Sequence, residues 1–206
     1  MSLIAIINYG MGNVGSIYNM LKKIQANAII ATTPEAAQGA DKLILPGIGA
    51  FDHGMKSLKE GGWLPFLQTK AIEEKTPVLG ICLGMQLMTL CSEEGQIPGL
   101  GWLDAKTVRF QKERLQNQKI PHMGWNLVYV TQDPPIDIST GDRFYFVHSY
   151  HVIGNEKNTV ARTHYGYDFC SVICQGNLIG AQFHPEKSHR FGMRLLKSFA
   201  QVPQYA

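Results

Sequence analysis

Cys82 sits between Gly80 and Gly84 in Val78-Leu79-Gly80-Ile81-Cys82-Leu83-Gly84-Met85-Gln86, an apolar run that leads straight into a helical pattern. One nucleophilic residue with a glycine two positions away on either side has the arrangement of a nucleophile elbow, with Cys in place of Ser. The glycines answer a crowding problem, because the sharp turn brings backbone to places where a Cβ would clash. Such a turn pushes the Cys82 thiol out at the carboxyl end of a sheet, where open α/β folds bind ligands. A helix beginning at Leu83 aims free amides and a positive dipole end at the thiol, which favours the thiolate and offers a donor to an oxyanion. Taken alone, the run is also compatible with a plain strand–helix turn holding a buried cysteine.

A thiol nucleophile needs a base, and the base needs an acceptor to orient it. Gly180-Ala181-Gln182-Phe183-His184-Pro185-Glu186 supplies both, with His184 and Glu186 two apart at the end of a strand and therefore on one face. The carboxylate can then reach one imidazole nitrogen while the other faces the thiol, and Pro185 stiffens the spacing. The other cysteines, Cys91, Cys170 and Cys174, read as ordinary buried residues, and none forms C-x-x-C. His122, His151, His164 and His189 read as structural or surface residues, and no spacing suggests metal ligation.

The elements that must position these residues fall into two halves. Strands are expected at Leu3–Asn8, Ala28–Ala31, Lys42–Leu45 and Pro77–Ile81. Helical patterns follow at Val14–Ile24, around Leu64–Glu74 and through the leucines after Cys82 as far as Thr89, with Cys91 near that helix's end. Strands separated by helices indicate parallel βαβ units in an open α/β sheet. The second half changes to β-forming stretches at Val108–Phe110, Asn126–Thr131, Arg143–Ile153, Thr159–Thr163, Phe169–Cys174 and Leu178–Phe183. Turns such as Gln175-Gly176-Asn177 suggest antiparallel hairpins, and Ser188 is placed to cap a last helix carrying Phe191, Leu195, Leu196 and Phe199.

At 206 residues the chain reads as one mixed-sheet domain, and 45% hydrophobic residues are enough for a sizeable core. Nineteen Lys and Arg against sixteen Asp and Glu leave a scattered +3, which argues for neither nucleic acid nor an anionic membrane surface. No apolar run approaches the ~20 residues of a bilayer span. The N-terminus lacks a signal-peptide pattern, so a soluble, cytoplasmic protein is expected.

Gly80-Ile81-Cys82-Leu83-Gly84-Met85-Gln86, the upstream Pro46-Gly47-Ile48-Gly49 and the downstream Gln182-Phe183-His184-Pro185-Glu186-Lys187-Ser188 resemble the class I (triad) glutamine amidotransferases. The turn Tyr9–Asn13, the stretch His122-Met123-Gly124-Trp125-Asn126 and Val147-His148-Ser149-Tyr150 are similar to the glutaminase subunits of imidazole glycerol phosphate synthases within that family. The resemblance covers nearly the whole chain. It implies a flavodoxin-like open mixed β-sheet flanked by helices and a Cys82–His184–Glu186 triad whose thiolate attacks the carboxamide of L-glutamine. Ammonia leaves, and water hydrolyses the glutamyl thioester without metal or cofactor.

The same resemblance makes Gly47, Ile48 and Gly49 an oxyanion strand with the Leu83 amide as partner donor. It places Gly49, Phe51, Gln86, His148, Ser149 and Tyr150 around the glutamine. On the residues alone, Pro46–Gly49 also reads as a loop after a strand, and His148 and Tyr150 as a core face. Where the family often has His after P-G-x-G, this chain has Ala50; where Asp is more usual in the first glycine turn, it has Asn8.

The chain has no second domain to receive ammonia, so the resemblance implies a separate cyclase subunit, a (β/α)8 barrel serving histidine biosynthesis. The docking face is expected around Asn8, Tyr9, Gly10, Met11 and Asn13, with Met123, Trp125, Asn126 and Lys187. Trp125 reads equally as a core anchor or an interface residue. Asn8 and the run Ser188–Met193 also resemble paralogues that supply ammonia to a cyclase-like partner in surface-sugar biosynthesis. A catalytically silent binding subunit would lack a triad member, and all three are present.

Overall fold

The computed structural model describes residues 2–203. Four short strands, β1 (Ile4–Ile7), β2 (Ala28–Ala31), β3 (Lys42–Leu45) and β4 (Val78–Ile81), run parallel in the order β2-β1-β3-β4. Three of them are buried at every position, as their apolar runs require when helices cover both faces of a sheet, and the one charged residue among them, Lys42, donates to the Ser2 hydroxyl at 3.0 Å. Helix α1 (Val14–Lys23) is capped by the Asn13 side chain, which accepts the Ser16 amide, and buries Ile17 and Leu21. Between β3 and β4 lie α2 (Phe51–Glu60) and α3 (Trp63–Gln68), the latter running on into a π turn over Thr69–Glu73. Helix α4 (Leu83–Leu87) follows β4 directly.

The second half supplies β5 (Ala105–Arg109), β6 (His122–Leu127), β7 (Tyr129–Val130), β8 (Arg143–His148), β9 (Tyr150–Gly154), β10 (Thr159–Tyr165), β11 (Tyr167–Gln175), β12 (Leu178–Ala181) and helix α5 (His189–Gln201). Strand β12 joins the parallel half beside β4, and β11, β10 and β7 extend the sheet, each antiparallel to the strand before it. Strand β9 branches from β11 and carries β5. Strands β6 and β8 form a separate two-stranded ribbon. The result is an α/β fold with a mixed central sheet flanked by helices. Alternate residues of the strands feed two cores: Ile7, Leu43 and Leu45 pack with α2, α3 and α4, whereas Ile6, Ile44 and Ile81 pack with α1 and α5. Among the described residues no helix is long and apolar enough to cross a membrane.

Four departures from the sequence reading bear on the site. Helix α2 was not anticipated, although Phe51, Met55 and Leu58 recur at helical spacing. The helix after Cys82 ends at Leu87, so Leu90 is 42% exposed and Cys91 lies on an exposed loop instead of in the core. The stretch Asn126–Thr131 divides at the buried Val128 into β6, which begins earlier at His122, and β7. The stretch Arg143–Ile153 divides at Ser149, with β8 going to the ribbon and β9 to the main sheet. Periodicity cannot register such a division, because both pieces keep extended backbone.

Candidate active site

Cys82 joins β4 to α4 with φ of +52° and ψ of −108°, a conformation rare for a residue with a side chain. Its amide donates to the Ala181 carbonyl at 2.8 Å, which ties the elbow to β12. The flanking glycines are required by close approach. A Cβ on Gly84 would lie 1.8 Å from the Leu45 carbonyl oxygen, and one on Gly80 would lie 2.5 Å from Met88 Sδ. The Cys82 thiol donates weakly to the Val147 carbonyl at 3.9 Å and accepts from Gln182 Nε2 at 3.8 Å.

Because β12 runs parallel to β4 with Ala181 opposite Ile81, the chain beyond it leaves the sheet at the same end as Cys82. His184 Nδ1 donates to Glu186 Oε1 at 2.7 Å, with both side chains almost wholly buried. The His184 amide donates to the Tyr145 carbonyl, and the Ser188 hydroxyl bridges the His184 carbonyl and the Tyr145 amide, so the histidine's backbone is locked to β8. Ser188 thereby holds the backbone of His184 and does not cap α5 with its side chain. Burial lowers the basicity of His184. The negative charge of Cys82, and then the hydrogen bond and charge of Glu186, outweigh it and push the imidazolium up to about 10. The three groups form a nucleophile with a charged proton carrier beside it.

A cavity of about 320 Å³ opens beside the thiol. Ile48, Gly49, Leu83, Gln86, His148, Ser149 and Tyr150 line it, all of them expected. Phe51 is a correction: its ring is fully buried in the core under α2, because Phe51 begins that unforeseen helix. Glu94, Pro121 and Val147 line the cavity without having been anticipated. Glu94 accepts the Phe51 amide at 2.9 Å, and its loop is held by Asp52, which accepts the Gln96 and Ile97 amides. Those backbone bonds hold the Asp52 carboxyl below its usual range. No motif marks Ser92-Glu93-Glu94-Gly95 in the sequence, and only the tertiary path brings Glu94 to the cavity beside the thiol.

At the turn after β3, the Gly47 carbonyl accepts the Leu83 amide at 3.3 Å, so that amide is satisfied within the protein. Gly49 has φ of +110° and Ile48 is 45% exposed. Tyr9 packs behind this turn and donates from its hydroxyl to the Pro46 carbonyl at 2.7 Å. Burial first, and the nearby charge of Cys82 second, push its phenol well above the ordinary tyrosine range. Tyr9 and Met11 are therefore corrections to the expected docking face, since both are core residues behind the turn that follows β3. Asn8 is half-buried, and Gly10 and Asn13 are exposed.

The remaining residues expected at that face are accessible. Met123 is 62% exposed and Trp125 40%, Lys187 is exposed, and Asn126 is half-buried. Trp125 stacks on His189 with rings 7° from parallel, and Lys187 Nζ lies 5.6 Å from the Tyr145 ring centre. Burial lowers the pKa of His122 to about 4 and that of His148 well below the ordinary range, so both rings are neutral. Among the described residues no group of three or more His, Cys, Asp or Glu is gathered so as to hold a metal.

Residues 5–202 match the family model of class-I glutamine amidotransferases. The chain is 53% identical over 201 residues to imidazole glycerol phosphate synthase subunit HisH 2 of Methanococcus maripaludis, covering 96% of this chain and 98% of the relative. It is 45% identical to the subunit HisH 2 of Pseudomonas aeruginosa, over 97% of this chain and all of that one. With the subunit HisH of Bdellovibrio bacteriovorus it shares 41% identity at the same coverage. The fold is similar to a crystal structure of a glutamine amidotransferase, with a TM-score of 0.74 at 20% identity and 97% of each chain covered. It is also similar to PurLQS from Thermotoga maritima, with a TM-score of 0.74 at 18% identity, over 98% of this chain and 99% of that one.

Proposed function

The chain belongs to the class-I glutamine amidotransferase family, and from that premise we propose that it is the glutamine-hydrolysing subunit of an imidazole glycerol phosphate synthase. The observation that carries the reading is the His184–Glu186 bond of 2.7 Å at the carboxyl end of β12, beside Cys82 on its elbow. The thiolate attacks the carboxamide carbon of L-glutamine, and the imidazolium of His184 gives its proton to the departing nitrogen. Ammonia and a glutamyl thioester result. His184, now neutral, takes a proton from water, and the hydroxide formed breaks the thioester to glutamate and thiolate. Glu186 keeps the ring oriented and its charge compensated throughout. The carboxylate of Glu94 in the cavity is suited to the substrate's α-ammonium group, and Gln86 with the Ser149–Tyr150 backbone to its other polar groups.

Ammonia released in water is protonated and lost, so the chemistry calls for a partner sealed over the site. We place there a cyclase subunit with a (β/α)8 barrel, making imidazole glycerol phosphate and an aminoimidazole carboxamide ribonucleotide in the cytoplasm. One amidotransferase domain, spanning residues 1–206, carries the whole of this chain's part. The lyase step belongs to the partner.

The test is to purify the chain with its partner and supply glutamine and the phosphoribulosyl formimino ribonucleotide. Imidazole glycerol phosphate made in step with glutamate supports the proposal. Glutamate release without that product moves the acceptor to the surface-sugar pathway. Absence of glutamate release, with Cys82 inert to a glutamine-like electrophile, overturns the glutaminase itself.

A further inference from the structure

We propose that His122 is a positioning residue of the glutamine site, holding His148 in one tautomer and through it the Tyr150 carbonyl of the pocket wall. The inference deepens the glutaminase reading and takes its substrate from it. His122 and His148 face each other across the β6–β8 ribbon, and His122 Nδ1 lies 3.1 Å from His148 Nε2. The proton positions are fixed independently from both ends of this contact.

At one end, Asn126 donates from Nδ2 to the His164 carbonyl at 2.9 Å and accepts the Leu127 amide at Oδ1 at 2.8 Å, which fixes the orientation of its amide. The same Nδ2 is 3.2 Å from His122 Nε2, so that nitrogen accepts, and the neutral ring carries its proton on Nδ1 toward His148. At the other end, His148 Nδ1 is 2.7 Å from the Tyr150 carbonyl, which can only accept. His148 therefore also carries its proton on Nδ1 and offers Nε2 to His122. The two assignments agree.

The Tyr150 carbonyl takes a second donor, Gln86 Nε2 at 2.9 Å, and Gln86 donates its other proton to Gln182 Oε1 at 3.2 Å. Gln182 in turn is the amide that touches Cys82 Sγ. Two donors thus clamp the peptide just beyond Ser149, where β8 gives way to β9 and the chain forms the cavity wall. Without His122, the lone pair on His148 Nε2 is free. The ring can then shift its proton to Nε2, turning the Nδ1 lone pair against the carbonyl, or take a second proton and bring a charge near His184. Either change displaces the wall. Phe146 and Tyr165 stack on the His122 ring at 4.7 and 4.0 Å, which holds its plane at 67° to that of His148.

Two variants of the full chain separate positioning from bulk. His122→Phe keeps an aromatic ring without a donor, and His122→Asn returns an N–H close to the place of Nδ1. Long-range ¹H–¹⁵N spectra of the histidine rings report tautomers, and kinetics with the partner present report KM and kcat for glutamine. In the wild type, His148 is expected as the neutral Nδ1–H form. His122→Phe loses that single tautomer and raises KM roughly tenfold with kcat within about threefold, as for a buried acceptor left without its donor. His122→Asn brings both readouts back toward wild type.

An Nε2–H His148 in the wild type overturns the proposal. So does a His122→Phe enzyme that melts earlier while its His148 tautomer and KM stay unchanged. If His122→Phe does not fold, Asn126→Ala removes the donor at the head of the chain while leaving both rings. It is expected to mix the tautomers, and an unmixed spectrum overturns the proposal. The ring spectra need no glutamine. A chain inert toward glutamine that shows the same tautomer loss fails the glutaminase reading and upholds the positioning of the wall.

Discussion

The Leu83 amide donates to the Gly47 carbonyl at 3.3 Å, so the backbone donor that follows the nucleophile is occupied by the turn expected to assist it. The Gly47 carbonyl and the Ile48 amide belong to one peptide, and rotating that peptide exchanges an acceptor for a donor and frees Leu83 at once. Gly47 has no room for a side chain, since a Cβ there would lie 2.8 Å from both Leu83 Cβ and the Tyr9 hydroxyl. Gly49, at φ +110°, supplies the freedom on the other side.

It follows that the chain alone should be a poor glutaminase and that its partner should raise kcat more than it lowers KM. Restoring one oxyanion donor corresponds to ~10²–10³ in turnover. Glutamate release measured with and without the partner and its ligand checks this. Full turnover by the lone chain would assign the hydrolysis to a site already complete.

Cys82→Ala and Cys82→Ser should leave the fold intact and abolish glutamine hydrolysis. A glutamine-like electrophile should modify Cys82 ahead of Cys91, even though Cys91 is the exposed thiol. His184→Ala should lose nearly as much activity as Cys82→Ala. Glu186→Gln should lose less, because an orienting group is partly replaceable. Mass spectrometry of the labelled chain decides the site, and faster labelling of Cys91 would sink the assignment.

His184 holds its proton more tightly folded than unfolded, its pKa rising from 6.5 to about 10. A group raised in this way adds stability that is complete below pH 6.5 and is lost as pH climbs through 10. The melting temperature of the wild type should therefore fall more steeply between those values than that of Cys82→Ala, which lacks the charge that contributes most to the rise. Equal slopes in the two proteins would show that Cys82 does not act on the ring.

The parallel half of the fold, and the elements that bring Cys82, His184 and Glu186 to one end of the sheet, were legible because each rests on short sequence spans. Buried strands announce themselves as apolar runs, and Gly80, Cys82, Gly84, His184 and Glu186 sit close in sequence to the elements that hold them. Phe51 was misplaced and Glu94 missed for one reason, since the sequence does not reveal that α2 begins at Phe51 and receives the Glu94 carboxylate on its first amide. Tyr9 and Met11 belong to a glycine-rich turn that suggests exposure, yet the turn folds inward against Pro46 and Gly49. The loss of the helix at Leu87 had the same origin: long-range contacts, here the Leu90 amide bonding the Ala105 carbonyl, overrode a local pattern.

Glu94→Gln keeps the shape of the pocket and the acceptor for the Phe51 amide but removes the charge proposed to meet the substrate's ammonium group. KM for glutamine should rise by at least about tenfold, the scale of one charge-assisted bond, with kcat changed less. Alkylation of Cys82 by a small neutral reagent should keep its wild-type rate. A slowed alkylation would mean that the loop, not the charge, had been disturbed.

The docking face is tested by Trp125 and Lys187, which lie on neighbouring elements: Trp125 on β6 next to Tyr145 of β8, and Lys187 over the same Tyr145 ring. Trp125 is two-fifths exposed and braced by His189, a rigid ring already held in place without a partner. Lys187 follows Glu186 in the chain, so a partner carboxylate reaching its ammonium would sit beside the proposed reaction site. Truncating an anchor of this kind costs about 2 kcal/mol or more of binding. Trp125→Ala should keep its melting temperature within a few degrees and bind the partner at least about thirtyfold more weakly. Lys187→Ala should fold normally and lose ligand-stimulated glutamate release more than affinity. Titration calorimetry and the coupled assay measure the two effects, and a Trp125→Ala protein that melts early yet docks normally, beside an unaffected Lys187→Ala, would move the partner to another face.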